Sequence, residues 1–267
     1  METNTLDIAL SRFDTLRQSQ AHHNTSDKYS FISTERVLRV FADHGWMPSK
    51  VMQATTRKEE NKGFQKHIVR LRNPTLAMPE GHNAEIVLIN SHLGSASFQL
   101  IAGVFRCVCL NGLIAGSRWG EEKIRHIGYT DSAVESAIKN IGQTIPQLAD
   151  GIETMSQIQL SDAERAIFAK SAIELRQIDV NEDGTPKYAV APESVLRPWR
   201  YSEQKATDLW TTMNVVQENM IKGGYRVTNT ATHDRRRTKA VKSVDENVRL
   251  NRGLWTLAEE MKKLKAA

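Results

Sequence analysis

The sequence predicts an α+β fold: a small antiparallel sheet packed on helices, followed by a helical C-terminal half. Between residues 51 and 110 the apolar residues alternate or gather in short runs, a strand pattern. Beyond residue 129 they recur three or four apart, the helical period. The two regimes follow one another instead of interleaving, which argues against repeated βαβ units.

The elements follow in order. Residues 1–30 are polar and read as a loosely helical or partly disordered arm. Ser33-Thr34-Glu35 opens a helix through Phe41, with Val37, Leu38, Val40 and Phe41 as its buried face and Gly45 as its stop. Residues 51–56 and 66–72 alternate and form a hairpin across the charged linker 57–63; Asn73-Pro74 ends it. Residues 85–90 (EIVLIN) and 97–102 (SFQLIA) form a second hairpin, and 105–110 continues the sheet toward a sharp turn at Asn111-Gly112. Tyr129 to Ile158 is a helix with Ser132 and Glu135 as a capping box and Pro146 as an expected kink or break. Ser161 and Glu164 open the next helix, to about Arg176. Residues 178–201 read as a Pro-rich loop, Ser202 as the cap of a helix running to Ile221, and Gly223-Gly224 as its end. Ser243 and Glu246 cap a final helix carrying Val244, Val248, Leu254, Trp255, Ala258 and Met261. The expected division is a polar arm over 1–30, an α+β core over 31–128, and a helical half over 129–267.

Of 267 residues, 40% are hydrophobic and 25% charged, which excludes wholesale disorder, collagen-like fibre and a disulfide-stapled miniprotein. No stretch approaches the ~20 apolar residues of a membrane helix. The N-terminus lacks a basic start followed by an apolar run, so no secretory signal is expected. A cytoplasmic protein of a bacterial host cell, with no membrane partner, is the expectation.

The net charge is +5, and it is concentrated. Residues 222–252 hold nine Lys or Arg against three acids, or +6. A basic segment on a near-neutral body points to a polyanion partner, the alternative being a solvated basic face. The sharpest feature is His233-Asp234-Arg235-Arg236-Arg237-Thr238-Lys239, read as a loop lying along a phosphate chain, because the planar guanidinium grips two phosphate oxygens at once. The residues expected to bind nucleic acid are Arg235, Arg236, Arg237, Lys239 and Lys242, then Arg226 and Arg249. Arg57, Lys58, Lys62 and Lys66 extend the track from the sheet half. Tyr225, Trp199 and Tyr201 offer rings on which unstacked bases could lie, although core packing is the expectation for Trp199 and Tyr201.

Other constellations are weaker. Asp179-x-Asn181-x-Asp183-Gly184 resembles the start of a calcium loop, but its twelfth position is Val190 where a bidentate carboxylate is required. Cys107 and Cys109 with His92 and His126 have the wrong spacing for a zinc site, and buried, unbridged thiols are expected. No phosphate-binding glycine loop and no Gly-x-Ser-x-Gly occurs. No cofactor and no metal are expected. The rival from another class is a metal-dependent nuclease using His92, His126, His233 and Asp234; a third reading is a regulatory or anti-defence protein acting through protein contacts.

Three runs carry a family resemblance: 91–98 (SHLGSASF), 105–113 (FRCVCLNGL) and 123–126 (KIRH). The C-terminal half adds Trp210, 214–219 (NVVQEN), Gly223-Gly224, 235–238 (RRRT) and 250–255 (LNRGLW). Together, over roughly residues 30–260, they resemble domain of unknown function 932, a family typical of phages, prophages and plasmids. Arg106, Arg125 and His126 lie in its most distinctive motifs and join the nucleic-acid-binding expectation on that ground; Arg106 has an equal claim to a structural pairing with an acid. A helix, then His44-Gly45-Trp46, a hairpin with a charged turn, a further strand and a long helix is similar to the core of single-strand annealing proteins, the Red-beta and Rad recombination superfamily. That resemblance implies a non-enzymatic, ATP-independent protein that binds single-stranded DNA by its backbone, promotes strand annealing or recombination, and assembles as a homo-oligomeric ring or helix. The long helical half departs from that superfamily's pattern.

Overall fold

The computed structural model describes residues 5–106, 111–114, 121–124, 126, 131–176, 180, 181 and 183–266. The fold is α+β. Two compact units, Met1–Ala149 and Asp150–Ala267, make up the chain.

The first unit holds helices α1 (Thr5–Arg12) and α2 (Thr34–Asp43) and strands β1 (Met47–Gln53), β2 (His67–Arg72), β3 (His82–Asn90), β4 (Phe98–Arg106), β5 (Asn111–Ile114) and β6 (Glu121–Ile124). The strands form one antiparallel sheet in the order β1-β2-β3-β4-β5, with β6 also pairing β4. β3 lies centrally, and Ala84, Ile86, Val87, Leu88 and Ile89 are all buried. A strand covered on both faces reads as a continuous apolar run instead of an alternating one. Ser33 caps α2 by accepting from the Arg36 amide, and Val37, Leu38 and Phe41 are its buried face. Glu85 is fully buried between two guanidiniums, Arg70 and Arg72. That pairing compensates a carboxylate which would be expensive to bury alone.

Two features of this unit differ from the sequence expectation. The arm over residues 1–30 is anchored where it is described: Leu6, Ala9, Leu10 and Leu16 are buried. Four apolar residues in a polar segment suffice to pin it. Asn111 and Gly112 begin β5 instead of forming a turn, with Asn111 opposite Arg106. Pairing with the edge of β4 outweighs a dipeptide preference that permits a turn without requiring one.

Helix α3 (Asp131–Gln157) is unbroken across Pro146, and Ser132 lies in its first turn instead of capping it. The second unit then holds α4 (Asp162–Leu175), α5 (Pro192–Leu196), α6 (Leu209–Lys222), α7 (Val244–Ala266) and a three-stranded antiparallel sheet of β7 (Tyr188–Ala189), β8 (Arg226–Asn229) and β9 (Arg235–Arg237). The expected box at Ser161 and Glu164 is present, and bonds from Ser161 and Lys265 hold the Glu164 carboxyl down to about 2. Ser243 accepts from the Glu246 amide at the start of α7. The apolar residues expected on that helix are all buried.

Ser202, expected to cap α6, sits in a short 3-10 turn instead, and Asp208 is the cap. The physical reason is backbone pairing. Leu160 donates to Thr207 and Leu209 donates to Ile158, which keeps 207 and 208 extended and stops any helix begun at 202. The 178–201 segment, expected as loop throughout, contains β7 and α5. The Asp183 carboxylate accepts from the Thr185 amide and hydroxyl, so it is committed to a local turn. Among the described residues no helix is long and apolar enough to cross a membrane.

Candidate nucleic-acid interface

Residues 235–237 form a strand, not the loop the sequence suggested. Asn229 builds the turn before it: its side-chain oxygen accepts from the amides of Ala231 and Thr232, and His233 takes a left-handed φ of 58°. The pleat then sorts the arginines. Arg226 stands opposite Arg237 and Thr228 opposite Arg235, so Arg226, Arg235 and Arg237 share one face of the sheet. Arg236 stands opposite the buried Val227 on the other face, with its guanidinium 3.6 Å from the Tyr188 ring centroid.

Arg226 and Arg237 line a pocket of about 430 Å³ together with Ser194, Arg197, Pro198, Trp199, Asn219, Gly224 and Tyr225. Arg237 donates from Nη1 to the Gly224 carbonyl at 2.7 Å, which fixes its fork at the rim. Among the described residues Arg197, Arg226, Arg235, Arg237, Lys239 and Lys242 have no acid partner. Trp199 is 60% exposed and Tyr201 82% exposed. Core packing, expected for both, is therefore overturned, whereas Tyr225 is buried and its hydroxyl accepts from Arg176 at 3.0 Å. Burial pushes the Tyr225 hydroxyl pKa up, against the nearby Arg176 charge.

Helix α6 positions this wall through buried polar residues. The Asn219 amide nitrogen donates to the Val195 and Arg197 carbonyls, and its oxygen accepts from Trp199 Nε1 at 2.7 Å. One side chain thus holds the 195–199 segment and fixes the indole by its edge. Glu218 receives both guanidinium nitrogens of Arg200 and also Lys222. Burial alone would raise the Glu218 pKa, but these cations hold it below the usual carboxylate range. Lys222 Nζ lies 5.9 Å from the Trp199 ring centroid.

Gly223 joins α6 to the sheet at φ 71°, and a Cβ there would lie 2.5 Å from the Lys239 carbonyl oxygen. Both the conformation and the close approach require glycine. Gly223→Ala is expected to cost about 2 kcal/mol, which a denaturant melt would show as a lower midpoint at unchanged slope.

The remaining predicted residues sit differently. Lys239 and Lys242 are exposed just after β9. Arg249 is tied to Glu246 through two nitrogens and to the Leu175 carbonyl. In the first unit, Lys58 and Lys62 pair with Glu60 and Glu59, Arg57 is exposed, and Lys66 and Arg106 are half-buried with partners of their own. His126 is buried, stacked on Tyr29 at 4.4 Å and bonded to the Ser30 carbonyl; burial lowers its pKa. Arg125, Cys107 and Cys109 lie outside the described residues.

The family motif around His92 has a structural role. His92 is fully buried and bonded to the Thr15 carbonyl. Its ring lies 5.2 Å from that of His67, which contacts the hydroxyls of Thr15 and Thr34. Tyr29 donates to the Ser91 carbonyl, and Asn90 donates to Ile32 and Thr34. These bonds fasten residues 15–34 to the end of β3. Of the nuclease candidates, His92 and His126 are thus buried in the first unit, while His233 and Asp234 are exposed on the β8–β9 turn. Among the described residues no group of three or more His, Cys, Asp or Glu is placed to hold a metal ion.

Fold and pocket together define an α+β protein whose helical half displays arginines without an acid partner among the described residues, beside an exposed, edge-pinned indole. The chain belongs to the family described as "Domain of unknown function (DUF932)", whose model matches residues 21–255. It is similar to UPF0380 protein YfjQ and UPF0380 protein YafZ of Escherichia coli (strain K12). Each is 33% identical over 241 residues, covering 90% of this chain and 85% of the relative. No solved structure matches, and none of the comparisons supports the expected resemblance to annealing proteins.

Proposed function

We propose that this protein binds single-stranded DNA, with the Arg226–Arg235–Arg237 face holding phosphates and Trp199 stacking a base. The observation that carries this reading is the pocket that Arg197, Arg226 and Arg237, none paired with an acid among the described residues, line together with an exposed indole. Guanidinium groups bind phosphate without reading sequence, and a free ring face accepts any base. A duplex hides its base faces in the stack, so the aromatic contact favours single strands. Trp199→Ala should weaken single-strand binding roughly ten-fold and leave duplex affinity nearly unchanged. A gel shift on both substrates checks this; equal losses on both would remove the stacking role.

Strand annealing without ATP, and assembly into a homo-oligomer larger than a dimer on DNA, extend the same reading from the sequence resemblance. Light scattering of the free and DNA-bound protein tests the assembly. A strict monomer in both states would sink it.

A further inference from the structure

We infer that the pocket lined by Arg197, Arg226, Arg237 and Trp199 takes a terminal phosphate monoester with its attached nucleoside, in preference to an internal phosphodiester. This inference rests on the nucleic-acid reading above and narrows it to one part of the strand. Three observations meet here.

The first is charge. Three arginines line one pocket of about 430 Å³, whereas an internal phosphodiester brings a single negative charge. A monoester carries about −1.5 to −2 and a third terminal oxygen, which better matches three planar donors.

The second is size and shape. The volume falls in the range of small-ligand pockets and would hold one nucleotide. Arg235, on the same sheet face, lies outside the lining. A strand ending in the pocket would pass its next phosphates over Arg235, which suits an end site joined to a longer track.

The third is preorganisation. Asn219 anchors Trp199 by its indole nitrogen at 2.7 Å, and Gly224 anchors Arg237 at 2.7 Å. Aromatic and phosphate contacts are thus fixed in relation to each other before any ligand arrives, as recognition of a base joined to its own phosphate requires. An electrostatic track on a flexible backbone needs no such rigid pairing.

The test compares one oligonucleotide sequence in three forms: 5′-phosphorylated, 3′-phosphorylated and unphosphorylated. Affinities are read by fluorescence anisotropy at fixed salt, with a free nucleoside monophosphate as competitor. One phosphorylated form should bind at least about ten-fold tighter than the unphosphorylated strand. Arg237→Ala and Trp199→Ala, each checked for unchanged melting temperature, should both abolish that increment, and the mononucleotide should compete for it. Equal affinity for all three forms would overturn the end-site inference while leaving single-strand binding intact. Arg237-dependent binding of the mononucleotide, with no binding of any strand, would overturn the single-strand reading and keep the pocket as a free-nucleotide site. No binding of either probe would overturn both.

Discussion

Between pH 6 and pH 4 the first unit should lose several kcal/mol of stability, because two histidines buried in the neutral form take up protons on unfolding. Burial holds His67 at about 4, against the bond its ring makes to the Gln65 carbonyl. Burial, and then the neighbouring His67, hold His92 at about 3. The groups facing them are the hydroxyls of Thr15 and Thr34, the Gln65 and Thr15 carbonyls and the Phe31 ring, with the His126 imidazole acting on His92 and no carboxylate among them. Both folded pKa values lie below the unfolded value of about 6.5, so the unfolded chain binds more protons at acid pH. Stability is therefore full above pH 6.5 and falls as the pH drops toward 4. At 1.4 kcal/mol per pKa unit, His67 alone accounts for about 3 kcal/mol, and His92 adds to it. Urea melts at pH 7.5, 6, 5 and 4 measure this. His67→Gln should flatten the profile even if it lowers stability at neutral pH; a wild-type profile level from 7.5 to 4 would rule out the buried neutral pair.

Replacing Arg226, Arg235 and Arg237 together by Ala should weaken single-strand binding about a hundred-fold near 0.1 M salt. Each phosphate contact on a single strand releases about 0.7 counterion, so three lost contacts change the affinity at that salt by about two powers of ten. Folding should survive, since the three side chains are exposed and none is paired with an acid among the described residues. Arg236→Ala is the control the structure supplies. Its guanidinium covers Tyr188 on the opposite face, so its loss should uncover that ring and leave the salt dependence nearly unchanged. A triple variant that binds as tightly as the wild type would empty the proposed interface.

Much of the fold was legible because burial imposes period on sequence. The apolar runs of β2, β3 and β4 and the caps Ser33, Ser161 and Ser243 announce their elements locally. What escaped was decided by non-local pairing. The start of α6 is set by Thr207 and Leu209 bonding to the segment after α3, not by the Ser202 signal. β7, β8 and β9 are short and mostly polar, so no alternation of apolar residues betrays them. Reading 235–237 as a loop hid the pleat that separates Arg236 from its neighbours.

The candidate site was legible in charge but not in shape. The basic segment supplied Arg226, Arg235 and Arg237. Arg197 and Trp199 come from another part of the chain and are placed by Asn219. The only sequence signal for that role is a run of polar residues, Gln217, Glu218 and Asn219, on a helix that is otherwise buried. Polar groups buried in a helix need partners: Gln217 finds Asn251, Glu218 finds Arg200 and Lys222, and Asn219 finds the 195–199 segment that walls the pocket. The most distinctive family motif, around Ser91 and His92, marks instead the junction that holds the N-terminal segment on the sheet.

The most direct measurement is the salt dependence of single-stranded DNA affinity, taken on the wild type and the Arg226/Arg235/Arg237 triple variant under identical conditions. If the face holds phosphates, log affinity falls linearly with log salt in the wild type, and the slope is shallower by about two units in the variant at unchanged melting temperature. Identical slopes in two equally folded proteins would contradict it.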